Sequence, residues 1–87
     1  MDKAKYIALT TNSLVMAVIS GIRTGRPYTC AEYAFEMRVE GAAEEVESLG
    51  FDWSKDEIET HLSAVVESMS SMSLSDAQSF ALELRQS

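Results

Sequence analysis

The sequence contains a single cysteine, Cys30, a single histidine, His61, and a single proline, Pro27. One cysteine excludes a disulfide within the chain and fits a reducing compartment, so a cytoplasmic setting is expected. One histidine leaves little for nucleophilic catalysis, because a serine or cysteine nucleophile needs a base beside it. His61 falls at the edge of an apolar helical stripe and reads as a packed histidine, not a base. Cys30, at the start of a helix, reads as a small packing residue and not a reactive thiol. A carboxylate-bridged metal site would want Glu-x-x-His on a helix. The residue three before His61 is Ile58, and Glu57 with His61 alone names no metal site. No phosphate-binding glycine loop, dinucleotide fingerprint, zinc-finger spacing or calcium loop is present. No catalytic residue, cofactor or metal is expected, and the chain reads as a non-enzyme.

Basic residues are also scarce: seven Lys and Arg stand against fourteen Asp and Glu, for a net charge of −7. The imbalance is local. Residues 1–31 hold Asp2 against Lys3, Lys5, Arg23 and Arg26, a balance of +3. Residues 32–59 hold ten acids against Arg38 and Lys55, a balance of −8, and residues 60–87 come to −2. Binding to a phosphate backbone needs clustered Lys and Arg. A helix-turn-helix reading of the last two helices offers Gln78, Arg85 and Gln86 for base edges, but only Arg23 and Arg26 as a further basic pair. Direct nucleic-acid binding is therefore not expected.

A long apolar run is missing too. The uncharged segment from Tyr6 to Ile22 is interrupted by Thr10, Thr11, Asn12 and Ser13, which leaves Leu14 to Ile22 as its dense part. That is about half of the roughly 20 residues a membrane-spanning helix requires. No Ala-x-Ala type cleavage site follows it. A buried helix is expected there, and no membrane contact.

What is present is ordinary globular composition, 46% hydrophobic and 24% charged, in a length suited to one domain over 1–87. A core this small yields on the order of 3–5 kcal/mol of net stability, so self-association would be useful to it. Caps and periodicity predict an all-α bundle of about four helices, near 2–23, 30–49, 55–70 and 75–85. In the first, Leu14, Val15, Val18, Ile19 and Ile22 recur at helical spacing, and Gly21, Thr24, Gly25 and Pro27 end it. It runs through from Asp2, or breaks at Thr10–Ser13 and restarts with Asn12 as a cap. The second opens on a capping box from Thr29 to Glu32, with Tyr28 and Tyr33 at the staple positions, and stops at Gly50. The third opens on a second box, Ser54 to Glu57, with Trp53 and Ile58 as its staple. Its stripe is Ile58, Leu62, Val65, Val66, Met69 and Met72. The fourth begins near Leu74 or Asp76 and buries Ala77, Phe80, Ala81 and Leu84, leaving Leu82 on the other side.

At 100° per residue the second helix divides three ways. Ala31, Phe35, Val39, Ala42, Val46 and Leu49 form a core stripe. Glu32, Glu36, Glu40, Glu44 and Glu47 form a broad arc beside it, bordered by Tyr33. Cys30, Ala34, Met37 and Gly41 make a third side that packs on helix one or four, or serves as a homodimer seam. Like charges four apart cost a helix a few tenths of a kcal/mol each. Glutamate also serves simply to solvate a helix, so the arc has a plain reading as well. The functional reading is an acidic docking face for a basic partner protein, with Glu32, Tyr33, Glu36, Met37, Glu40, Glu44 and Glu47 as the interface and Tyr33 as its anchor. Such a partner would include one whose surface otherwise binds nucleic acid, the carboxylates imitating phosphates. A structural homodimer, held by the apolar side of helix two or by Leu82, is the alternative, and a helix-turn-helix-like nucleic-acid-binding regulator a further one.

In size and charge the chain is similar to compact acidic helical accessory proteins of phages and plasmids. Some of these, including anti-restriction and anti-CRISPR proteins, block nucleic-acid-binding machinery. The likeness carries no motif and transfers no residue roles; it implies an inhibitor or accessory protein.

Overall fold

The computed structural model describes residues 1–25 and 27–86, with the side chains of residues 27–31 excepted. Four helices follow in order: α1, Lys3–Arg23; α2, Pro27–Leu49; α3, Lys55–Met69; and α4, Leu74–Gln86. No strand occurs among the described residues, and the architecture is an all-α bundle of four helices.

α1 begins where Asp2 caps it, its carboxylate accepting from the Lys5 N–H at 2.7 Å. The helix is unbroken through Thr10–Ser13, and Asn12 caps nothing. The polar block instead fastens the bundle. The Thr11 hydroxyl donates to the Ile7 carbonyl one turn back at 2.6 Å, so it is satisfied without leaving the helix. The same oxygen meets His61 Nε2 on α3 at 2.9 Å, and Asn12 Nδ2 donates to the Ala81 carbonyl on α4 at 3.0 Å. Two residues of a block that resembles a helix start, Thr11 and Asn12, thus tie α1 to its neighbours.

α2 starts at Pro27, three residues before the expected position. Proline suits the first turn, where its missing N–H costs nothing and its φ is already helical. That start places Thr29 inside the helix, so the expected capping box is not the entry; the Tyr28, Thr29, Cys30 and Ala31 side chains lie outside the described residues. The far end is as expected. Gly50 takes φ +74°, the Phe51 N–H bonds the Val46 carbonyl at 3.0 Å, and the Gly50 N–H bonds that of Glu47 at 3.3 Å. This is the paired 6→1 and 5→2 closure that a left-handed glycine permits.

α3 carries the complete box: the Glu57 N–H donates to Ser54 Oγ at 3.2 Å, and the Ser54 N–H to Glu57 Oε1 at 3.1 Å. The Ser54 backbone N–H first, and its side-chain hydroxyl second, hold the Glu57 carboxyl below its usual range. α3 ends at Met69, which leaves Met72 in the joint and not on the helix stripe. Ser73 caps α4, its hydroxyl accepting from the Asp76 N–H at 3.1 Å.

α1 is the hub. It packs against each of the other three helices, while α2 also packs on α3. Leu14, Val15, Ile58 and Leu62 are the largest fully buried side chains, surrounded by Val18, Ile19, Val39, Ala42, Val46, Val65, Met69, Ala77 and Ala81. Tyr6, Phe51, Trp53 and His61 close one end, with ring centroids 5.7 to 6.4 Å apart. α1 is long and apolar enough to cross a membrane by length and composition, and its apolar side forms the core of this fold. Leu49, expected in the core stripe of α2, is 51% exposed, because the helix is by then turning out through its glycine cap.

Candidate interaction surface

All seven expected interface residues, Glu32, Tyr33, Glu36, Met37, Glu40, Glu44 and Glu47, are exposed on α2. The reason lies in the helix itself: with Val39, Ala42 and Val46 fixed inward, a 3.6-residue repeat turns the glutamates outward. Tyr33 is 67% exposed and Met37 54%, so an aromatic and a thioether stand beside the carboxylates with little packed on them. They border a shallow groove of about 460 Å³ between α1 and α2, floored by Ser13, Ala17, Ala34 and Gly41. The small-residue side of α2 therefore faces α1; Cys30, its first member, has a side chain outside the described residues.

The decisive electrostatic feature is the course of Arg38, the one basic side chain on α2 among its described residues. It does not neutralise the arc. Its Nη2 donates to Glu45 Oε1, seven residues on, and the same oxygen accepts from the Tyr6 hydroxyl of α1 at 2.7 Å. Gly41 makes this course available: a Cβ there would lie 2.7 Å from Arg38 Nη2. The glycine thus has a packing reason, since it leaves room for the guanidinium to lie along the helix. Burial, followed by the bond to Glu45, raises the Tyr6 hydroxyl above its usual pKa. None of the five arc carboxylates has an ion-pair partner among the described residues.

Glu45 is the residue that sequence reasoning missed here. Helical spacing pairs a charge with neighbours three and four away, where Arg38 finds Gly41 and Ala42. Only the glycine between Arg38 and Glu45 hinted at a longer reach.

His61 is half-buried between Thr11 and the edge of Trp53, and burial lowers its pKa. The Thr11 proton is already given to Ile7, so His61 Nε2 is the donor of that pair. Its place is structural. Among the described residues no three His, Cys, Asp or Glu side chains converge as metal ligands. No known protein family, curated protein or solved structure matches this chain.

Proposed function

We propose that the chain is a non-enzymatic protein-binding module, an inhibitor or accessory protein acting in the cytoplasm, whose α2 arc docks on a basic surface of a partner protein. The observation that carries this reading is the diversion of Arg38 to Glu45, whose carboxylate Tyr6 also bonds, which leaves the arc without an ion pair among the described residues. A purely solubilising face gains from i,i+4 pairing with Lys or Arg, and this one has none. Tyr33 and Met37 add what a solvating surface does not need, an apolar anchor within the acidic rim.

The spacing suits a surface built for phosphates. Glu32 to Glu47 spans roughly 22 Å at 1.5 Å per residue, or about one carboxylate per 6 Å. A nucleic-acid strand presents one charge per about 3.4 Å, so the arc offers a sparser version of the same pattern. The test is capture of binding proteins from the source cell by wild type and by a variant with Glu36, Glu40, Glu44 and Glu47 changed to lysine. A control of equal net charge carries the same reversals at Asp52, Glu59, Glu67 and Asp76. Loss of the partner from the arc variant alone supports the reading; equal capture by all three overturns it.

A structural homodimer is the second reading, favoured by Leu82 at 54% exposed and Met16 at 38%. Light scattering showing a monomer across a wide concentration range removes it.

A further inference from the structure

A second concavity lies on another part of the molecule. It occupies about 610 Å³ between the end of α1, the first part of α2 and the end of α3. Its floor is Val18 and Met69, 6% and 2% exposed, and its walls are the half-buried Ile22, Phe35, Val66 and Met72. α4 packs along α1, and none of its described residues lines the opening. Glu32 and Glu67 stand at the mouth with Ser63 and Ser70, and no basic side chain is among the described lining residues.

We propose that this cleft binds a small amphiphilic organic cation, its aliphatic or aromatic body against the apolar walls and its ammonium group between Glu32 and Glu67. The volume lies within the range of small-molecule sites, which are mostly apolar with a few polar groups that fix orientation. Met69 in the floor and Met72 in the wall give a lining that adjusts to an irregular chain. The only charges among the described rim residues are negative, so an anionic head group of the same size would meet the Glu32 and Glu67 carboxylates there. The site overlaps the docking surface only at Glu32.

The test titrates the full chain with alkyltrimethylammonium ions from hexyl to decyl below their micellar concentrations, by calorimetry and by NMR of the methionine methyl groups. Matched primary alcohols and alkyl sulfates run beside them. Burial in the cleft tightens binding roughly fourfold per added methylene. The cation exceeds the matched alcohol by roughly two- to fivefold per carboxylate at low salt, and the sulfate binds more weakly than the alcohol. Glu67→Gln reduces the cation's advantage while leaving alcohol binding unchanged. Ser63→Trp, at an exposed position on the lining, abolishes both while the helical circular dichroism is retained. Shifts concentrated at Met69 and Met72 place the ligand. Binding without chain-length dependence, equal affinity for cation and sulfate, full binding to folded Ser63→Trp, or shifts confined to Met16 and Met37 would each overturn the proposal.

Discussion

Replacing Glu40 with glutamine removes one charge from the centre of the arc and nothing else of substance. Glutamate and glutamine have nearly equal helix propensity, and the side chain is exposed with no ion-pair partner among the described residues. Glu40 has like-charged neighbours one turn to either side, Glu36 and Glu44. Each such pair costs about 0.2–0.5 kcal/mol, so Glu40→Gln should stabilise the fold by about 0.4–1 kcal/mol. In a domain this small that raises Tm by roughly 2–8 °C. Salt gives the effect its signature. At 1 M the screening length falls to about 3 Å, and most of the gain should vanish. Glu45→Gln, five residues on, should behave oppositely, because it weakens the bonds from Arg38 and Tyr6; a loss of at most about 1 kcal/mol is expected. Thermal melts followed by circular dichroism in low and high salt read both variants. A lower Tm for Glu40→Gln in low salt, or a gain that persists at 1 M, would refute the claim that the arc carries unrelieved repulsion.

Other variants probe the remaining elements. Gly41→Ala should be neutral or stabilising by up to about 1 kcal/mol in urea denaturation, since the alanine propensity gain offsets an ion pair worth little; a marked loss would mean that the guanidinium cannot move aside. Leu62→Ala, at a fully buried site, should cost about 2–5 kcal/mol and leave much of the protein unfolded. Leu49→Ala should change stability by less than about 0.5 kcal/mol, which separates the exposed end of α2 from its core stripe. Burial holds the folded pKa of His61 below its ordinary 6.5, so between the two values the unfolded chain binds more protons. Stability should therefore be full above pH 6.5 and fall as the pH drops through it, until folded His61 also titrates. Nitrogen NMR should find the neutral ring as the Nε2–H tautomer, and His61→Gln should flatten that part of the profile.

Much of the fold was legible because its punctuation is local. Ser54 with Glu57, and Gly50 after Leu49, act through bonds within a few residues of themselves, and both were read correctly. The entry to α2 was misread because two start signals compete there. Thr29 with Glu32 spells a capping box, yet Pro27 is the better first residue and the structure uses it. Thr10–Ser13 left a break open because side-chain oxygens usually compete with the helix; the partners of Thr11 and Asn12, His61 and Ala81, are 50 and 69 residues away. The arc was visible in full, since one helix alone sets its geometry. The commitment of Arg38 to Glu45 was not, because it needs Gly41 beneath it and Tyr6 from another helix. The apolar cleft was hidden for a similar reason: Val18, Phe35 and Val66 belong to the core stripes of three helices, and a stripe does not reveal which members its neighbours leave uncovered.

The central claim is that the carboxylate arc of α2 is a contact surface. Its most direct test is the salt dependence of affinity for the partner recovered by capture, measured for wild type and for the Glu36→Gln, Glu40→Gln, Glu44→Gln triple variant. Wild type should weaken steeply as salt rises, and the triple variant should bind more weakly at low salt with a distinctly shallower slope. Parallel slopes and equal low-salt affinity would contradict the claim and leave the arc a solvated face.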